Sequence, residues 1–185
     1  MNVSIEMNGT SRHHTLQWYA CYTRPRNEKS SCRKLTDAGV ECYLPLQRTR
    51  RRWSDRWKWV DEPLFKSYLF VKISISSCKS VLETGNLVRF ITFEGKPAPI
   101  PESQIDIIKR LLQHEIELDV SDQRFKPGQK IEVIAGPMLG LTGELVEYRG
   151  TRRVLVRLGE IGQCLLVTIG AEYLSVVNRY INTER

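Results

Sequence analysis

The chain has few of the residues and motifs on which catalysis and metal binding usually depend. It contains three histidines, of which only His114 lies in a predicted helix. It has no nucleophile elbow, HExxH motif or cluster of acidic metal ligands. The five cysteines are odd in number and include no CxxC pair, which favours reduced thiols over disulfides or a zinc site. We therefore expect a cytoplasmic protein that is not an enzyme and has no cofactor or metal.

Long apolar segments are also missing. No stretch approaches the roughly 20 residues that a membrane-spanning helix needs, so we expect no membrane partner. Residues 1–14 lack the apolar segment of a signal peptide, and we interpret them as a flexible tail.

Positive charge, in contrast, is abundant and local. Residues 24–72 hold 13 Lys/Arg against 6 Asp/Glu, which accounts for the whole net charge of +7. Six cations lie within eleven residues, with tryptophans between them: Arg48, Arg50, Arg51, Arg52, Arg56 and Lys58. Guanidinium groups pair with phosphates and indoles stack on bases, so this pattern predicts a basic hairpin, here called the arm, that contacts nucleic acid. The alternative is a solvated hairpin whose charges only keep the protein soluble.

Strand and helix patterns alternate over the first two thirds of the chain. Strands are predicted at residues 16–22, 40–52, 66–73 and 87–93. Helices are predicted from Pro25 to Gly39, over 76–84, and on a later apolar face formed by Ile105, Ile108, Leu111, Leu112 and Ile116. This alternation predicts an α+β layer with helices against a mostly antiparallel sheet.

The segment Leu64–Val71 follows the arm and is apolar on both faces of a strand. Strict alternation places Leu64, Tyr68 and Phe70 on one face and the intervening apolar residues, including Phe65, on the other. The segment is either a core strand covered within the chain, or a strand with one face left for a partner protein.

The last third of the chain has a different pattern. Five short strands at 130–134, 142–148, 154–158, 164–167 and 173–177 predict a small β-barrel. The glycine-rich segment 134–143 lacks the Gly-Lys-Ser/Thr of a phosphate-binding loop, so we interpret it as a turn between two strands. The predicted organisation is a tail (1–14), an N-terminal domain (15–117), a polar linker that looks flexible (118–124), a barrel (125–178) and a second tail (179–185).

Three motifs in this order resemble the NusG family of transcription factors. They are Trp18-Tyr19, Pro63-Leu64-Phe65-x-x-Tyr68-Leu69-Phe70-Val71, and Gly136-Pro137-Met138-x-Gly140-x-x-Gly143. The resemblance implies a NusG N-terminal α/β sandwich domain followed by a five-stranded KOW barrel. The stretch from Glu62 and the arm before it are more similar to the specialised paralogues RfaH and UpxY than to housekeeping NusG. The similarity to these paralogues implies an operon-specific antitermination factor of the capsular polysaccharide type.

The resemblance also implies partners and site residues. RNA polymerase would seat its clamp helices against Tyr22, Phe65 and Tyr68, while Arg24 and Lys34 would face non-template DNA or nascent RNA. The barrel would recruit Rho or a small-subunit ribosomal protein, and the chain would be a monomer. Where the family has Pro-Gly or Pro-Asn before the tyrosine, this chain has Lys66-Ser67, which we expect to remove a rigid turn.

Two other functions fit the same sequence. One is a housekeeping NusG-like factor that couples polymerase to Rho or the ribosome. The other is a ribosome-associated RNA-binding KOW protein without polymerase contact.

Overall fold

Strand β1 (Gln17–Tyr22) is the centre of the first sheet, because four consecutive residues in it are buried. It pairs antiparallel along its whole length with β5 (Tyr68–Ile73), from the pair Gln17↔Ile73 to the pair Tyr22↔Tyr68. The remaining strands of this sheet are β2 (Glu41–Tyr43), β6 (Arg89–Phe90) and β9 (Pro99–Ile100). The sheet has the order β2-β5-β1-β6, and β9 also pairs with β1.

The computed structural model describes residues 15–114, 116, 118–121, 128–158 and 162–177. The two predicted tails, residues 1–14 and 179–185, lie outside these residues. The chain divides into two compact units, Met1–Glu102 and Ser103–Arg185.

Helices α1 (Glu28–Asp37) and α2 (Cys78–Gly85) cover one face of the first sheet. Leu35 of α1 is fully buried there, and Val81 of α2 is almost so. The sheet residues on this face include Cys21, Leu69 and Val71, none of which exposes any surface. Burial of these apolar side chains is what holds the helices to the sheet.

Two hairpins extend from this unit. The arm consists of β3 (Leu46–Trp53) and β4 (Arg56–Pro63), which form a two-stranded sheet of their own. The single strand predicted over 40–52 is interrupted at Leu44-Pro45, where proline has no N–H for the ladder. A smaller hairpin pairs β7 (Thr92–Phe93) with β8 (Lys96–Pro97).

The second unit contains α3 (Glu102–Gln113, whose first residue ends the first unit) and a six-stranded antiparallel sheet. The order is β10-β14-β13-β12-β11-β15. Its strands are β10 (Leu118–Ser121), β11 (Gln129–Val133), β12 (Thr142–Tyr148), β13 (Thr151–Leu158), β14 (Gln163–Val167) and β15 (Leu174–Val176). All five predicted barrel strands are present, and residues 134–141 form the predicted turn between β11 and β12. The α+β fold class is confirmed.

The prediction of a linker over 118–124 is wrong for residues 118–121, which form β10. This strand pairs with β14 from Leu118↔Val167 to Ser121↔Cys164. Its polar side chains suggested a flexible segment, but Asp119 accepts a 2.7 Å hydrogen bond from Arg153 within the sheet. The first compact unit ends at Glu102, whereas we expected the N-terminal domain to end at residue 117. The domain limit at residue 117 stays a prediction.

No described helix combines the length and the apolar character needed to cross a membrane. The longest α-helix in the part of the chain that the structure describes, α3, has 12 residues.

Candidate functional site

The face of the first sheet that is turned away from α1 and α2 is lined by aromatic side chains, and we call it the aromatic face. In strand register, Tyr22 lies opposite Tyr68 and Ala20 opposite Phe70. The Tyr22 and Tyr68 rings meet edge to face at 5.4 Å between centroids, and both side chains are half-buried. Arg89 places its guanidinium 5.6 Å from the centre of the Tyr22 ring. This end of the sheet therefore exposes two aromatic rings beside a cation.

Phe65 lies in the same aromatic cluster but is only 1% exposed. Its ring packs edge to face on Phe70 at 5.8 Å, so it is on the side of Tyr68 rather than on the opposite face. The alternation predicted for Leu64–Val71 is wrong at this residue, because β5 starts only at Tyr68 and a turn precedes it. Phe65 is thus a buried member of the aromatic cluster that packs on Phe70, and its assignment to polymerase binding stays a prediction.

The turn before Tyr68 is present despite the Lys66-Ser67 sequence. The carbonyl of Phe65 accepts a 3.3 Å hydrogen bond from the Tyr68 N–H. Ser67 has a φ of +65°, a conformation that glycine or asparagine adopts more easily. The buried carboxylate of Glu28 accepts a 2.7 Å hydrogen bond from the Ser67 N–H. The expectation that Lys66-Ser67 removes the turn is therefore wrong, since Glu28 and the neighbouring strands hold it.

The arm presents two different faces. Its register pairs Arg50 with Trp59 and Arg52 with Trp57, while Arg51 pairs with Lys58. Because side chains alternate along each strand, Arg48, Arg50, Arg52, Trp57 and Trp59 share one face, which we call the outer face. The other, the groove face, carries Thr49, Arg51, Trp53, Arg56, Lys58, Val60 and Glu62.

Cation–π contacts order the cations of the arm. Arg48 lies 5.3 Å from the Trp59 ring centre, Arg50 lies 5.1 Å from Trp57, and on the groove face the Lys58 ammonium lies 5.5 Å from Trp53. Contacts of this kind contribute roughly 0.5–1 kcal/mol at exposed positions.

The groove face also contains an ion pair. Arg51 donates two 2.7 Å hydrogen bonds to the Glu62 carboxylate, one from Nε and one from Nη2. These hydrogen bonds lower the pKa of Glu62, with the nearby charges of Lys66 and Lys29 acting in the same direction. The charge of Arg51 is thus compensated within the arm.

A groove of about 850 Å³ separates the groove face of the arm from the start of α1. Lys29 spans it by donating a 2.7 Å hydrogen bond to the Asp61 carbonyl. Arg24 and Lys34 are exposed near and on α1, but they do not line this groove. All eight residues predicted to bind nucleic acid are exposed, and six of them lie together on the arm. Their role in binding stays a prediction.

Residues 16–109 match the profile of the family described as "NusG: Transcription termination factor nusG". The chain belongs to the NusG family. The resemblance seen in the sequence is thereby confirmed at the level of the family. NusG members are non-enzymatic transcription factors, and this chain is a NusG-like transcription termination/antitermination factor.

Individual relatives agree with this family. The chain is 25% identical over 146 residues to the "Transcription termination/antitermination protein NusG" of Streptococcus pyogenes serotype M3, covering 74% of this chain and 80% of that protein. The NusG protein of Lactococcus lactis subsp. lactis is 25% identical over 152 residues, with 76% and 80% covered. The solved structure "Domain interaction in Thermotoga maritima NusG" has a TM-score of 0.54 at 20% identity, covering 89% of this chain and 98% of that chain. This likeness supports the NusG fold.

Three residues of the site were missed in the sequence. Glu28 is the acidic residue in the first turn of α1, and its partner Ser67 lies 39 positions away. Tyr43 packs on Phe70 at 6.3 Å between centroids, and burial raises its pKa to about 12. Arg89 lies within the predicted strand 87–93, of which residues 89–90 form β6, and the strand pattern did not distinguish it as a site residue. Of these three residues, only Tyr43 could have been found from the sequence, through its aromatic side chain.

Proposed function

We propose that this NusG-like chain is an operon-specific antitermination factor that binds RNA polymerase through the exposed end of its aromatic face. The observation that carries the proposal is the edge-to-face pair of Tyr22 and Tyr68, half-buried and next to Arg89. Aromatic rings with one side packed and one side exposed are typical of protein-binding hot spots. The clamp helices of the polymerase are the partner that the family resemblance implies.

In this proposal the factor acts through binding energy alone. Contact with the clamp would favour polymerase conformations that elongate over those that pause, which is a shift in populations. The arm, with six exposed cations, would lie against non-template DNA or nascent RNA and add affinity that depends on salt. The barrel would recruit a further factor, either Rho or a small-subunit ribosomal protein.

The polymerase contact is tested with the full chain and single substitutions. Tyr68→Ala and Tyr22→Ala should each weaken co-purification with RNA polymerase by tenfold or more, because hot-spot truncations cost about 2 kcal/mol. Phe93→Ala is the matched control, since Phe93 is 55% exposed and lies in the separate β7–β8 hairpin. Phe65→Ala is a poorer test, because truncating a buried phenylalanine destabilises the fold itself by about 3–5 kcal/mol. Polymerase binding that is equal in Tyr68→Ala, Phe93→Ala and wild type would contradict the proposal.

Operon specificity is tested by gene deletion and transcript profiling. We expect reduced readthrough of a single long operon, of the capsular polysaccharide type suggested by the resemblance to UpxY. Altered transcripts across many operons would instead support the housekeeping alternative. An RNA-dependent association with ribosomes, without association with polymerase, would support the alternative of a ribosome-associated RNA-binding KOW protein.

A further inference from the structure

The outer face of the arm carries guanidinium and indole groups in alternation. Arg48 lies 5.3 Å from the ring centre of Trp59, and Arg50 lies 5.1 Å from that of Trp57. Arg52 is opposite Trp57 in the strand register. Arg48, Arg50, Trp57 and Trp59 thus form one row that combines positive charge with aromatic surface, and Arg52 lies at its end, where it also lines the groove.

The outer face is accessible. Every residue of the row is exposed, and each of the two indoles leaves 56% of its surface open. On the groove face, Arg51 is bound by both oxygens of Glu62. Asp61 lies opposite Arg48 in the strand register, but among the described residues none of the three arginines forms an ion pair. Their charges are therefore available to an anionic ligand.

The spacing of the indoles selects the form of that ligand. Trp57 and Trp59 are two residues apart on one strand, a separation of about 6.8 Å at roughly 3.4 Å per residue. Bases within a duplex follow each other at about 3.4 Å and cover each other's faces, so an indole can reach them only by unstacking them. Bases of a single strand present free faces on which aromatic side chains stack.

We propose that the outer face binds a single-stranded polynucleotide, with bases stacked on Trp57 and Trp59 and phosphates paired with Arg48, Arg50 and Arg52. This inference rests on the proposed contact between the arm and nucleic acid, and it adds the face of the arm that binds the strand and the side chains on which the bases stack. The cation–π contacts hold the arginines close to the indoles before binding, which reduces the side-chain entropy lost on binding. Stacking and phosphate pairing use groups common to DNA and RNA, so the face binds both.

The main rival is a duplex, because a two-stranded β-ribbon fits the major groove of B-DNA. A duplex would use the arginines, but it leaves the two indoles without stacking partners. Single strand and duplex therefore differ in their dependence on the tryptophans, and this difference can be measured.

The test measures the affinity of the full chain for an oligonucleotide of about 15 nucleotides, as single-stranded DNA, as the same sequence in RNA, and as the DNA duplex. We expect both single strands to bind with similar affinity and the duplex about tenfold more weakly. Trp57→Ala and Trp59→Ala should each weaken single-strand binding about tenfold. Trp53→Ala is the matched control, because Trp53 is equally exposed, at 57%, but lies on the groove face. It should change the affinity less than threefold.

The charge contribution is tested with two neighbouring arginines. Arg50→Ala should reduce the salt dependence of single-strand binding by about 0.7 in log–log slope, and Arg51→Ala by clearly less. Tight duplex binding, or equal losses in Trp53→Ala and Trp57→Ala, would overturn the inference. Co-purification with RNA polymerase in the Trp57→Ala variant is measured in parallel. This co-purification reports on the Tyr22 and Tyr68 end of the aromatic face. It therefore separates failure of this inference from failure of the proposed function.

Discussion

Replacing Ser67 with glycine should stabilise the first unit. Ser67 has a φ of +65°, and the left-handed region costs a non-glycine residue about 1–2 kcal/mol. Glycine removes this cost but loses more conformational freedom on folding, which offsets about 0.5–1 kcal/mol. The hydrogen bond to Glu28 comes from the backbone N–H and is kept. The expected net gain for Ser67→Gly is about 0.5–1 kcal/mol.

Tryptophan fluorescence measures this gain in the correct unit. All four tryptophans, at positions 18, 53, 57 and 59, lie in the first unit. In a unit of about 100 residues, a gain of this size raises Tm by roughly 2–8 °C. Ser30→Gly is the matched control, because Ser30 is an exposed residue of α1, where glycine is less favourable than serine by a few tenths of a kcal/mol. A decrease in Tm for Ser67→Gly, or shifts of the same sign in both variants, would refute the reasoning.

Two further predictions concern a thiol and a glycine. The Cys42 thiol donates a hydrogen bond that lowers the pKa of Cys32 to about 7. Alkylation of Cys32 by iodoacetamide should therefore be half-maximal near pH 7 and rise above it as the thiolate forms, while buried Cys21 stays unmodified. In the second unit, a Cβ at Gly143 would lie 2.7 Å from the Leu155 carbonyl oxygen. Gly143→Ala should lower the free energy of unfolding of this unit by about 1–3 kcal/mol, measured by circular dichroism in urea.

Each of these has an internal control. Cys42→Ala removes the hydrogen-bond donor, so the midpoint for Cys32 should return toward pH 8.5, and an unchanged midpoint would contradict the assignment. For Gly143→Ala, the tryptophan transition of the first unit should stay where it is in the wild type. If that transition moves as much as the circular-dichroism transition, the effect does not come from the local contact with Leu155.

The barrel strands and the arm followed from the sequence because their determinants are local. Alternating apolar residues and glycine-containing turns define each strand of the second unit, and the cations of the arm lie on two adjacent strands. The same holds for the face of α3 that buries Ile105, Ile108 and Leu111. Leu112 and Ile116, predicted for that face, are only partly buried, and Ile116 lies beyond the end of the helix.

The errors arose where distant residues decide the structure. Ser67 adopts an unfavourable φ because a buried carboxylate 39 positions earlier accepts a hydrogen bond from its N–H. Residues 118–121 form a strand in which Leu118 is buried and Asp119 has a partner in Arg153, 34 positions later. The burial of Phe65 depends on the turn at Ser67, which breaks the alternation that a continuous strand would have. Local pattern contains none of these long-range contacts.

The arm also bears on the solubility of the protein. Among the described strands, β3 and β4 pair only with each other, so each has one edge whose N–H and C=O groups are open to another chain. Exposed tryptophans would make such a ribbon prone to edge-to-edge association. Six cations on the same ribbon repel a second copy. The charges proposed to bind nucleic acid thus also protect free protein from aggregation, and neutralising several of them together should lower its solubility.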